Sequence, residues 1–101
     1  MEDEEIIDMF LLRNENAIKE VDAKYHRYFW RIAMNILNNN EDSEECVNDT
    51  YLHTWNSIPP TKPKILRVWM GKITRNLSLN YYEKLHAKKR GSGEFELMLD
   101  E

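Results

Sequence analysis

A chain of 101 residues, 42% of them hydrophobic, can bury a single core and make one domain at most. Its net charge is −4, and only three Gly, three Pro and one Cys are present, which argues against a turn-rich β-fold and excludes an internal disulfide framework. No run is long and apolar enough for a membrane span, and the acidic opening MEDEEIIDMF is unlike a secretory leader, so the chain reads as soluble and cytoplasmic.

The charge is segmented. Residues 1–22 hold eight acids against two bases, and residues 23–40 carry only the bases Lys24, Arg27 and Arg31. Glu41 to Asp49 holds five acids, residues 62–90 hold nine bases against Glu83 alone, and residues 91–101 turn acidic again. Such segmentation gives a small domain two faces for two partners.

In chain order, residues 4–12 read as a short helix, with Ile6, Ile7, Phe10 and Leu11 at helical spacing. From Asn16 to Leu37, Ile18, Val21, Tyr25, Tyr28, Phe29, Ile32, Ile36 and Leu37 recur at i, i+3, i+4 and predict a long amphipathic helix. The triplet Asn38, Asn39, Asn40 follows. Asparagine tolerates left-handed backbone and caps helices, so the triplet predicts a tight helix–helix turn. A third helix is expected from about Glu41, with Asp42 and Glu45 shaped like a capping box and Val47, Thr50, Tyr51, Thr54, Trp55 and Ile58 on its buried face. Pro59 and Pro60 stop it, and PPTKPK predicts a stiff loop.

The last helix spans Leu66 to Arg90. Leu66, Trp69, Met70, Ile73, Leu77 and Tyr81 form its apolar stripe, with Arg67, Lys72, Arg75, Ser78 and Tyr82 on the far side. Val68 and Leu79 sit on the polar side and mar the pattern. Gly91-Ser92-Gly93 ends this helix and begins a flexible acidic tail. The expected architecture is all-α: a compact bundle of three main helices plus a short N-terminal one over residues 1–90, then the tail.

Catalysis finds no support in the residues. His26, His53 and His86 are scattered, and Asp49 four residues before His53 gives two ligands with nothing convergent. No phosphate loop or nucleophile elbow appears, and Cys46 lacks a histidine partner. No metal, cofactor or catalytic residue is expected. The acids from Glu41 to Asp49 suit a helix N-terminus by the dipole alone, as the closing HAKKR suits a C-terminus. Arg67, Lys72 and Arg75 lie too early in the last helix for that account, and phosphate contacts would explain them.

Two segments together resemble region two of bacterial RNA polymerase sigma factors, nearest the extracytoplasmic-function group. These are ILNNNEDSEECVNDTYLHTWNSIP and, after the loop, LRVWMGKITRNLSLNYY. The matching positions include Ile36, Leu37, Asp42, Glu44, Val47, Asp49, Thr50, Leu52, Trp55, Arg67, Trp69, Ile73, Arg75 and Asn76. Cys46, Asn48, Leu66, Asn80 and Glu83 depart from the family pattern. The resemblance covers about residues 5–90.

The resemblance implies a non-enzymatic domain that recognises the −10 promoter element and melts DNA in transcription initiation. Docking on the beta-prime coiled coil of the polymerase core falls to Asp42, Glu45, Asn48, Asp49 and His53. Contact with the non-template strand falls to Thr61, Lys62 and Lys64 in the loop and to Arg67, Lys72, Arg75, Asn76 and Asn80 on the last helix. An anti-sigma factor is a further implied partner. The tail is expected to begin a linker towards a helix-turn-helix domain that this sequence does not include. The alternative is a helical interaction module, a regulator or antagonist, that makes no DNA contact.

Overall fold

Four helices follow one another in the computed structural model, which describes residues 1–90: α1 (Asp3–Leu11), α2 (Asn16–Leu37), α3 (Asn40–Ser57) and α4 (Leu66–Arg90). No strand occurs among the described residues. The expected tail from Gly91 onward lies outside them. α2, α3 and α4 pack against one another in pairs, and α1 lies on α2.

The asparagine triplet makes the turn between α2 and α3. Asn38 takes left-handed backbone (φ 51°, ψ 36°) and its N–H donates to the Met34 carbonyl at 2.9 Å, closing α2. Asn39 is then the N-cap of α3, its side-chain oxygen accepting from the Asp42 N–H at 2.9 Å. The anticipated Asp42–Glu45 capping box therefore does not form. The cap lies three residues earlier, and Asp42 is free to accept from the Tyr81 hydroxyl of α4 at 3.0 Å.

α1 is tied to α2 by polar contacts on top of its apolar face. Ile6, Ile7 and Phe10 are buried, while Asp3 accepts from Lys24 at 2.7 Å and from the Tyr25 hydroxyl at 2.8 and 2.9 Å. Burial works to raise the Asp3 carboxyl, but the Lys24 and Tyr25 hydrogen bonds outweigh it and hold it below the usual carboxylate range.

The core joins Phe10, Val21, Phe29, Val47, Tyr51, Ile58, Leu66 and Met70, with Trp30, Trp55 and Trp69 packed half-buried around it. Burying a side chain of Phe or Leu size contributes about 1.5–3 kcal/mol, so this cluster holds the helices together.

The expected apolar faces of α2 and α3 are largely observed, but α4 is turned from the expected stripe. Leu66, Met70, Thr74 and Ser78 have no exposure, whereas Trp69, Ile73, Leu77 and Tyr81 form a half-buried shoulder. Ser78, assigned to the polar far side, is a correction: it lies on the buried seam. The reason is steric. Small side chains let α4 approach its neighbours closely, and each hydroxyl can satisfy itself within its own helix. Ser78 donates to the Thr74 carbonyl at 2.8 Å, Thr74 to Met70 at 3.1 Å, and Thr54 to Thr50 at 2.8 Å. Among the described residues no buried side-chain nitrogen or oxygen lacks a partner.

Candidate nucleic-acid interface

The cationic face begins where α3 ends. Ile58 and Pro63 are buried and pin the two ends of the loop, leaving Thr61, Lys62 and Lys64 exposed between them. α4 then starts with no acid in its first turn, and Arg67, Lys72, Arg75 and Asn76 all project outward. Among the described residues, Lys62, Lys64, Arg67, Lys72 and Arg75 form no salt bridge. Cations held without a partner acid are available to phosphate oxygens.

A shallow groove of about 250 Å³ runs between α2 and α4 beside this face. Tyr28, Ile32, Val68 and Gly71 form its apolar lining, with Lys72 and Arg75 at its rim. The Arg67 guanidinium sits 5.3 Å from the Tyr28 ring centroid, within cation–π range. Tyr28, expected on the buried face of α2, is 39% exposed, and Val68 is 41% exposed. Sequence reasoning missed this groove. The only available signal was Val68, whose apolar side chain sits off the stripe among bases.

The loop lysines stand in a different setting. Lys62, Pro63 and Lys64 share a cavity of about 420 Å³ with Glu4, Ile7 and Asp8 of α1. Acids across a cavity lower the local potential and so compete with phosphate for these two lysines. Asn80 is likewise separated from the other strand candidates. It lines a cleft of about 330 Å³ between α3 and α4 that also contains Glu45, Asp49 and Lys84.

On α3 itself, Glu45, Asn48, Asp49 and His53 are exposed at helical spacing. Leu52 joins them with 58% exposure, an apolar residue on an otherwise polar stripe that sequence reasoning did not assign. Asp42 stands apart, half-buried and engaged by Tyr81.

The seam between α2 and α3 carries a titratable cluster. His26 bridges Asp22 through Nδ1 at 2.9 Å and Glu44 through Nε2 at 3.0 Å, and the Tyr51 hydroxyl donates to Asp22 at 3.0 Å. Partial burial disfavours the charged ring, but the Glu44 and Asp22 bonds outweigh it, so the His26 pKa rises. Burial, reinforced by the bond to Asp22, pushes the Tyr51 phenol well up and keeps it neutral. No group of His, Cys, Asp and Glu suited to a metal ion occurs among the described residues, and no described helix is long and apolar enough to cross a membrane.

The family model for Sigma-70 region 2 matches residues 22–88, taking in most of α2, all of α3 and α4 through Lys88. No curated protein and no solved structure matches the chain. In sigma factors that domain is non-enzymatic: it binds the RNA polymerase core and promoter DNA and takes part in −10 recognition and melting. With more than half its length covered, the chain belongs to the Sigma-70 region 2 family.

Proposed function

We propose that this chain is the promoter-opening domain of a sigma factor of the extracytoplasmic-function group, working in the cytoplasm on the polymerase core. The observation that carries the reading is the row Arg67, Lys72, Arg75 on α4, cationic and without a salt bridge, beside an apolar groove. Opening a duplex costs a few kcal/mol of unstacking per base step, and a cationic track with apolar seats offsets that cost.

Arg67, Lys72 and Arg75 hold phosphates of the non-template strand, and Asn76, one turn beyond Lys72, presents an amide to a base edge. Thr61, Lys62 and Lys64 extend the track along the loop, tempered by Glu4 and Asp8. Asn80 contacts DNA only where the strand crosses towards α3, since its own cleft is acidic. Glu45, Asn48, Asp49 and His53, with Asp42 at the edge, form the docking face for the beta-prime coiled coil. The same face is open to an anti-sigma factor.

The test is charge reversal. Lys72→Glu with Arg75→Glu should abolish binding of an unpaired DNA strand while leaving capture by polymerase core intact. A second reading, an interaction module without DNA contact, draws on the exposed Leu52 stripe alone. It predicts no strand binding by the native chain, with core capture unaffected by the reversal.

A further inference from the structure

We infer that the segment EFELMLDE, residues 94–101 of this same chain, docks along the outer stripe of α4 towards the groove beside α2 and competes with the DNA strand for that face. Those residues lie outside the described ones, so what speaks for the contact is their sequence and the surface within their reach. The docking stands by itself; only the competition rests on the proposed function.

The surface is a continuous stripe. Val68, Lys72, Arg75, Leu79, Tyr82 and His86 recur at i, i+4, i+7, i+11, i+14 and i+18, and so stay within about 80° of the helix circumference. Val68 and Leu79, which interrupt a polar side when the sequence is read alone, are therefore in line with each other. Val68 is 41% exposed, while Leu79, Tyr82 and His86 are half-buried, the rings of Tyr82 and His86 stacked at 3.8 Å. Apolar and cationic positions thus share one face, and the groove continues it with Tyr28 and Ile32.

The occupant carries the matching pattern. In extended backbone Phe95, Leu97 and Leu99 share one side, and Glu94, Glu96, Met98 and Asp100 share the other. The segment holds four acids and no base. The groove lining holds no acid, and Arg27 and Arg31 are exposed on α2 next to Tyr28 and Ile32. An acidic, apolar segment therefore faces a cationic, apolar stripe, and a short link within one chain sets its effective concentration at about millimolar.

Reach agrees with pattern. Gly91 and Gly93 permit the left-handed backbone that a chain reversal uses. Phe95 is five residues beyond Arg90, a span of at most about 17 Å. Tyr82 lies eight residues back along α4, about 12 Å at 1.5 Å per residue. Nine residues to Leu99 span at most about 31 Å, against about 27 Å back to Lys72 at the groove rim. The apolar side chains of the segment thus come level with Tyr82, Leu79 and the groove rim in turn.

The test uses the whole 101-residue chain with benzoylphenylalanine in place of Phe95, irradiated and mapped by mass spectrometry. Adducts within one molecule are expected on α4 between Arg75 and His86. Leu97→Ser with Leu99→Ser leaves the charge unchanged and should raise affinity for a random-sequence DNA strand about three- to tenfold at low ionic strength. Adducts confined to α3, or formed only between two copies, would overturn the docking and leave strand binding standing. So would a strand affinity that the serine pair leaves unchanged while Glu96→Gln with Asp100→Asn raises it, since charge repulsion alone would then be at work. Adducts on α4 with no strand binding by any of these chains would sustain the docking and overturn the strand reading.

Discussion

The hydroxyls of Thr50 and Thr74 meet at 2.8 Å on the buried seam between α3 and α4, and neither residue has any solvent exposure. Each also has a carbonyl four residues back within reach, Cys46 for Thr50 at 2.8 Å and Met70 for Thr74 at 3.1 Å. Each hydroxyl has one proton to donate, so two of these three contacts are hydrogen bonds at a time, and neither hydroxyl is orphaned. Replacing Thr74 by the near-isosteric valine should cost about 1 kcal/mol, because Thr50 keeps its carbonyl. Thr74→Leu should cost more, about 1–3 kcal/mol, because the close helix approach has no room for it. A double-mutant cycle with Thr50→Val, read by urea unfolding, should give a coupling of about 0.5–1.5 kcal/mol. Strict additivity would mean that the two hydroxyls do not interact.

Arg13 closes the far end of α3 from the α1–α2 connection. Its guanidinium donates to the Ile58 carbonyl at 3.1 Å and also to the Trp55 carbonyl, and lies 3.7 Å from the Trp55 ring centroid. A cation is favourable at a helix C-terminus and over an indole face, together about 1–2 kcal/mol. Arg13 itself adopts φ 58°, the left-handed region. Arg13→Ala should therefore lose the side chain and keep the strain, whereas Arg13→Gly loses the side chain and relieves it. Thermal unfolding should rank the glycine variant above the alanine variant, by about 1 kcal/mol. The reverse order would remove the backbone argument.

These two contacts mark the limit of what the sequence made legible. Helix positions could be read because Asn38, Asn39, Pro59 and Pro60 carry their backbone preferences locally, and because α2 keeps a strict apolar period. The orientation of α4 could not. Hydropathy ranks Trp69, Ile73 and Leu77 above Thr74 and Ser78, but close approach of helices selects for small volume, and self-satisfied hydroxyls lower the cost of burying polar atoms. The cationic candidates on α4 were legible from charge alone. The Tyr28 groove was not, since an aromatic at helical spacing reads as core until the neighbouring helix is known to leave it uncovered.

The His26 cluster sets a pH dependence of stability. The folded pKa of His26 is raised, so its contribution is full below the unfolded value of 6.5 and fades as pH rises through the higher folded value. The side chains of Asp22, His26 and Glu44 are 53%, 37% and 41% exposed, so solvent screening keeps the effect small. Asp3 works in the opposite sense. Its lowered pKa contributes above 3.8, and the contribution is lost as pH falls through the folded value. Urea midpoints measured from acid to mildly basic pH should decline above neutrality in the native chain, and His26→Gln should flatten that decline.

Acids of α1 face the loop lysines, and removing them should strengthen strand binding. Glu4 and Asp8 line the same cavity as Lys62 and Lys64 without an ion pair to either. Glu4→Gln with Asp8→Asn should raise affinity for unpaired DNA several-fold at low salt, with the gain vanishing as screening shortens the reach of the charges. Titrations at two ionic strengths would measure it. An equal gain at both would point to a change in loop conformation.

The docking face tests whether exposure on α3 serves a partner. Asp49 and Leu52 are exposed and lie next to one another on the helix surface, and neither supports the core. Substitutions at such positions usually change stability by less than about 0.5 kcal/mol. Asp49→Lys and Leu52→Ala should therefore leave the urea midpoint in place. Capture by RNA polymerase core should respond differently to each. Charge reversal at Asp49 removes an attraction and adds a repulsion, so it should slow association and flatten its fall with salt. Truncating Leu52 removes apolar contact area, so it should act on dissociation and be insensitive to salt. If both variants were captured as well as the native chain, the exposed stripe would have no part in docking, and Asp42 with its Tyr81 contact would become the next position to alter.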